Sequence, residues 1–151
     1  MPPFSIFAAQ TEDCAECASL LVEQLREHGV EASAGPLTRL LERIVTDKDR
    51  GFVQLARAEG RVVGVAHVAT ILSVEHVGPV AWLEELYVTP VWRQQGVGTA
   101  LVTAILARAR AGGIVAVDLE VDASHGRAAA LYQRLGFRRL DRSRWVKNLG
   151  E

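Results

Sequence analysis

The stretch Arg93-Gln94-Gln95-Gly96-Val97-Gly98-Thr99-Ala100 decides how the rest of this 151-residue chain is read. Ahead of it, Trp82 to Val88 is an apolar segment with the makeup of a strand. Behind it, Leu101, Val102, Ile105, Leu106 and Ala109 recur at the spacing of one helix face. The two glycines therefore sit where a strand hands over to a helix. A helix start offers unpaired backbone N–H groups and a partial positive charge. Glycine lets a ligand approach that backbone closely. The stretch reads as an anion-binding turn, with phosphate the natural ligand.

The surrounding chain sets bounds on that reading. Its length suggests one domain spanning residues 1–151, and 49% apolar residues suffice for a real core. A net charge of −1 gives no argument for nucleic acid or an anionic membrane as partner. No apolar run approaches the roughly 18 residues of a membrane helix. Met1-Pro2-Pro3-Phe4 lacks the basic start of a signal peptide. Two cysteines are too few for a disulfide framework. A soluble cytoplasmic protein is expected.

Taken in order, Phe4–Ala8 predicts a first strand, and Thr11 a helix cap with Glu12 and Asp13 in the first turn. Ala18, Leu21, Val22 and Leu25 continue that helix to His28-Gly29. Pro36 opens a second helix, running through Leu37, Leu40, Leu41, Ile44 and Val45. Phe52–Ala58 and Val62–Val74 read as strands joined by the two-residue turn Glu59-Gly60. Gly78-Pro79 reads as a further turn before a strand from Val80 to Val88. A helix from about Gly96 to Ala111 follows, then a strand over Ile114–Val121 and a helix over Ala128–Leu135. Phe137–Leu140 and Arg144–Val146 are expected as two last short strands. That order predicts a mixed α/β fold: a largely antiparallel central sheet with helices on both faces.

The glycine turn is neither of two common phosphate modules. No Gly-Lys-Ser/Thr follows it, and the third glycine of a dinucleotide fingerprint is missing. Its wider context is more specific. Arg93-x-x-Gly96-x-Gly98 after Leu86-Tyr87-Val88 resembles the signature of the GNAT superfamily of acyl-CoA-dependent N-acyltransferases. The later run from His125 to Phe137, with Leu131-Tyr132-Gln133-Arg134-Leu135-Gly136-Phe137 at its end, resembles that family's second motif. The spacing of the two and the order of elements agree with the resemblance, which covers roughly Leu83 to Phe137.

The resemblance implies acetyl-CoA as co-substrate and a single-domain fold of the family type. Backbone N–H groups of Gln95, Gly96, Val97, Gly98 and Thr99 would hold the coenzyme pyrophosphate, in the motif that Arg93 opens. Leu86, Tyr87 and Val88 would pair with the pantetheine arm like an added strand. An N–H near Val88 would face the thioester carbonyl as it becomes an oxyanion. His125 stands where the family usually has Asn on the pantetheine, and a surface histidine is the alternative. Arg134 matches a basic position that reaches the 3′-phosphate, with a solvated helix face as its alternative.

The chemistry asks for a proton acceptor and a proton donor. An amine with a reference pKa of about 10.4 is almost all protonated at pH 7 and must lose a proton to attack. Leu83-Glu84-Glu85-Leu86-Tyr87-Val88 resembles family members that acetylate polyamines and aminoglycosides. There the residue at the place of Glu84 positions or deprotonates the amine, and Glu85 would line the cationic substrate site. Successive strand residues point to opposite faces, so only one glutamate should face a given cleft unless a bulge intervenes. Tyr132 matches the family tyrosine that protonates the departing thiolate. That transfer is uphill by about 1.5 pK units from reference values, so it needs positioning or coupling to C–S cleavage. Aromatic packing is the alternative role for Tyr132, and a solvated face for the glutamates.

Cys14-Ala15-Glu16-Cys17 could be a redox pair, but two small helix residues is the better reading; one pair cannot complete a four-ligand zinc site without outside help, and the histidines form no metal spacing, so no metal is expected. The expected activity is transfer of acetyl to a primary amine of a small molecule such as a polyamine, aminoglycoside or amino acid. A protein N-terminus or lysine, or a non-catalytic acyl-CoA sensor, are the alternatives. A homodimer is implied by the resemblance.

Overall fold

The computed structural model describes residues 3–122 and 126–150. The chain forms two compact units, residues 1–120 and 121–151. The first holds β1 (Ser5–Ala8), α1 (Cys14–Glu27), α2 (Ala34–Val45), β2 (Gly51–Ala58), β3 (Arg61–Ser73), β4 (Gly78–Val88), α3 (Val97–Ala111) and β5 (Ala116–Leu119). The second holds α4 (Gly126–Arg134).

The five strands lie in the order in which they occur, β1-β2-β3-β4-β5. The first three pairings are antiparallel and the last, β4 with β5, is parallel. That switch follows from the connections. Glu59 and Gly60 both have positive φ, 52° and 76°, the geometry of a two-residue hairpin turn that matches strand twist. Between β4 and β5 the chain instead crosses over through α3, which returns it to run parallel.

Helices cover both faces of the sheet, as strand alternation requires. Val53, Leu55, Val65 and Tyr87 share one buried cluster with Cys14, Cys17, Ala18 and Leu21 of α1 and Leu41 and Ile44 of α2. The opposite face meets α3. Arg108 donates to Gln54 Oε1 at 2.7 Å and lies 4.2 Å from the ring centre of Phe52. Gly64 allows the closest approach, because a Cβ there would stand 2.9 Å from Val97 and 3.1 Å from Leu101.

Several boundaries differ from expectation. The first cap is at Gln10, whose N–H donates to Asp13 at 2.9 Å, and Thr11 opens one 3-10 turn before α1. The second helix starts at Ala34, with Pro36 inside its first turn, where a missing N–H is harmless. Gly78-Pro79 is the start of β4, not a turn. The turn lies just before, closed by Val77 N–H on the Val74 carbonyl at 3.3 Å. Val77 takes φ 52° there, a conformation that a β-branched residue does not advertise.

The two short strands expected after α4 are absent among the described residues, where 137–150 is irregular. A four-residue run needs a partner ladder to persist, and β-propensity alone does not supply one. This run also carries Arg138, Arg139, Asp141, Arg142 and Arg144, while Trp145, Val146 and Leu149 are exposed.

Candidate active site

The site begins with one surplus residue. His67 stands opposite Glu85 and Val68 opposite Leu83, so Glu84 is the extra residue that β4 inserts between the two pairings. This is a β-bulge, which re-aims side chains. Glu84 Oε2 lies 3.2 Å from Nδ1 of His67. Glu85, facing His67 across the ladder, is coupled electrostatically to the same ring. The bulge thus gathers at one histidine two carboxylates that plain alternation would separate. Burial holds the Glu85 carboxyl above its ordinary range, and the Glu84 charge adds to this. His28, His67 and a hydrogen bond with Gln24 pull it back down.

Beyond the bulge, β4 has no parallel neighbour. β5 pairs with Val80 to Leu83 and no further, so Glu84 to Val88 form an open edge among the described residues. One bond fixes the direction of its groups: Thr89 N–H donates to the Val63 carbonyl at 2.9 Å. Backbone groups alternate sides along a strand, so Tyr87 also faces β3, whereas Leu86 and Val88 point to the open side. Their carbonyls are engaged. Gln24 Nε2 donates to the Leu86 carbonyl at 3.3 Å, and Arg93 Nε to the Val88 carbonyl at 2.8 Å. The Leu86 and Val88 N–H groups are the donors that this edge offers.

Arg93 also donates through Nη2 to Glu27, at 3.1 and 3.3 Å, and lies 5.3 Å from the ring centre of Tyr87. The Tyr87 hydroxyl reaches Glu27 and Glu23 at 3.4 and 3.5 Å. Burial, then these glutamates, raise the phenol's pKa. The side chains of Arg93 and Tyr87 therefore tie α1 to the end of β4.

The glycine turn follows. Gln94 and Gly96 take positive φ, 62° and 87°, and Gly96 is the N-cap of α3. The Ala100 N–H closes the first helical bond, on the Gly96 carbonyl at 3.0 Å. The N–H groups of Gly96, Val97, Gly98 and Thr99 precede it and have no intrahelical acceptor. No side chain caps them and no acidic residue stands in the first turn. The Gln95 side chain folds back, donating to the Val91 carbonyl at 2.9 Å. What remains is a cluster of amides at the positive end of a 15-residue helix.

In the second unit, Tyr132 is buried on α4, edge-to-face with Phe137 at 5.6 Å between ring centres. Burial raises its pKa, which keeps the phenol protonated at neutral pH. Arg134 is exposed at the end of α4. His125 lies outside the described residues. Cys14 and Cys17 are buried, unbonded thiols in the α1 core. Burial is the main cause that pushes Cys17 up to about 12, which keeps it a thiol at neutral pH. Among the described residues no group of three His, Cys, Asp or Glu could hold a metal. No helix among them is long and apolar enough to cross a membrane.

Sequence reasoning overlooked His67 and Gln24. The signal was a polar residue inside an apolar pattern. His67 interrupts Val65-Ala66-His67-Val68, and Gln24 continues the buried face of Cys17, Leu20 and Leu21.

Comparison with known proteins places the chain among acetyltransferases. The chain is 38% identical over 94 residues to the mycothiol acetyltransferase of Paenarthrobacter aurescens (strain TC1), covering 60% of this chain and 28% of that protein. It is 34% identical over 79 residues to a D-amino-acid N-acetyltransferase of Saccharomyces cerevisiae (strain ATCC 204508 / S288c), covering 52% of this chain and 49% of that one. The chain thus spans half or less of the length of these curated relatives. The fold superposes on an aminoglycoside acetyltransferase from an uncultured soil metagenomic sample, solved with trehalose, with a TM-score of 0.83 and 18% identity over 97% of each chain. The profile of the acetyltransferase (GNAT) family matches residues 15–137, and the chain belongs to that family.

Proposed function

We propose that the protein is an N-acetyltransferase that moves the acetyl group of acetyl-CoA to a primary amine of a small molecule, by direct attack within a ternary complex. The observation that carries this reading is the bulge at Glu84. It brings two carboxylates to the start of an open strand edge that runs on, through the 3-10 turn Pro90–Trp92, to the amide cluster of α3. A cationic amine at one end and an anionic coenzyme at the other suit that order of charges.

The roles follow from the chemistry. Amides of Gln95, Gly96, Val97, Gly98 and Thr99 hold the pyrophosphate. The Leu86 and Val88 N–H groups meet the pantetheine arm and the oxyanion. Arg134 serves the 3′-phosphate, and His125 a pantetheine amide. Glu84 and Glu85 gather the ammonium group. The freed amine attacks the thioester carbonyl, the C–N bond forms, and the C–S bond breaks. Tyr132 supplies the proton that the leaving thiolate takes. Relatives named for amino acids and aminoglycosides support a small acceptor.

The test is release of coenzyme A from acetyl-CoA with a panel of polyamines, aminoglycosides, amino acids and peptides. Turnover on a small amine is expected, by a particle of twice the chain mass in light scattering. Coenzyme binding without turnover on any amine would sink the catalytic reading in favour of a sensor. Turnover on peptides alone would replace the small acceptor with a protein one.

A further inference from the structure

We propose that His67 is the group that accepts the proton of the acceptor amine, and that Glu84 is the carboxylate that orients its ring. The assignment rests on the acetyltransferase reading and deepens it: the glutamates collect the cation, and the imidazole deprotonates it.

The placement is built into the sheet. His67 sits on β3 in an otherwise apolar run, with 13% of its side chain open to solvent. The bulge exists at the ladder position facing it, and through that bulge Glu84 Oε2 comes within 3.2 Å of Nδ1. A carboxylate beside one ring nitrogen favours the proton on that nitrogen, which leaves a lone pair on the other. Nε2 has no hydrogen-bond partner among the described residues.

Magnitudes favour the imidazole over the carboxylate. Reference imidazoles are more basic than reference glutamates by about two pK units. A base works best with a pKa near the operating pH, and imidazole as a class meets that condition. Once Nε2 has taken a proton, the imidazolium stands beside Glu84 and faces Glu85, so its charge is compensated as it forms. On β2 the facing residue is Val53, which carries no charge. From α1 and the cap that follows it, Gln24 and His28 act on Glu85.

The step balances. An N–H bond of the ammonium breaks and its proton goes to Nε2. The lone pair left on nitrogen forms the C–N bond as the carbonyl π bond opens; on collapse the C–S bond breaks, and the nitrogen sheds a second proton that makes good the one the thiolate takes. The imidazolium returns its proton to water after the product leaves.

The experiment compares wild type, H67Q, H67A and E84Q by coenzyme A release between pH 5.5 and 9, with calorimetry of coenzyme binding as a check on folding. For H67Q the expected result is a kcat lower by about 10²–10⁴-fold, the usual worth of a positioned base. The KM for acetyl-CoA should hold, and the acid limb of the pH profile should vanish. Added imidazole should restore turnover to H67A, which a merely structural histidine would not allow. Nitrogen NMR of the wild type should find the neutral His67 ring protonated at Nδ1, and E84Q should shift that balance toward Nε2. Wild-type kcat and pH profile in H67Q would overturn the assignment, as would a wild-type ring protonated at Nε2. A wild type that acetylates no amine overturns the acetyltransferase reading itself, and the two failures are told apart by that control.

Discussion

At the scale of single residues, the site depends on where carboxylates and phenols are buried. Glu85 is held above its ordinary pKa by burial and by Glu84, so its charge opposes folding. The sign is therefore the reverse of the common carboxylate case. Its unfavourable contribution is absent below the unfolded pKa and grows as pH rises through the folded one. E85Q should accordingly raise Tm at pH 7.5, by about 2–4 °C for each kcal/mol relieved, and change it little at pH 4. An equal shift at both values in thermal melts would refute that account. Tyr132 makes a second case. Burial keeps its proton on at neutral pH, which suits a donor and disfavours a base. Y132F should lose turnover by about 10²-fold or more while binding coenzyme A as before. Full activity in Y132F would remove the tyrosine from the chemistry and leave it as Phe137's packing partner.

At the scale of elements, the α3 N-terminus is positioned from below by a missing side chain. Gly64 lets Val97 and Leu101 settle on β3, so G64V must push the helix start away or strain both contacts. A loss of about 1–3 kcal/mol is expected from such overpacking, with weaker coenzyme binding alongside it. Chemical denaturation and calorimetry on the same variant would separate the two effects. G98V acts at the mouth of the turn instead, where bulk closes the approach to the amides. It should cost coenzyme affinity at least tenfold in calorimetry with little loss of stability. These elements were largely legible in advance. The glycine pair, the periodic face of α3 and the Glu59-Gly60 turn each carry their geometry in residue type. The bulge was not, because it is a mismatch between two strands and neither strand alone contains it. Without it, parity could not tell that Glu84 comes within 3.2 Å of His67 while Glu85 faces the same residue across the ladder. The last two strands failed for the related reason that β-rich composition names no partner.

At the scale of the whole molecule, the proposed coenzyme site would link binding to folding through the amide cluster. If coenzyme A binds only the folded chain, a hundredfold excess over Kd adds about 2.7 kcal/mol of stability. For a chain of this size that is about 5–10 °C in Tm, readable by differential scanning fluorimetry against a coenzyme lacking its phosphates. No shift would remove the α3 amides from the binding site. The surplus residue at Glu84 has a wider consequence. Leu83 and Glu85 already point to opposite faces, so removing Glu84 altogether would leave every other β4 side chain where it now points and restore an unbroken ladder. The acceptor end of the proposed site therefore amounts to one codon inserted into an ordinary strand. A chain with that codon deleted should fold at least as firmly as its parent and transfer nothing.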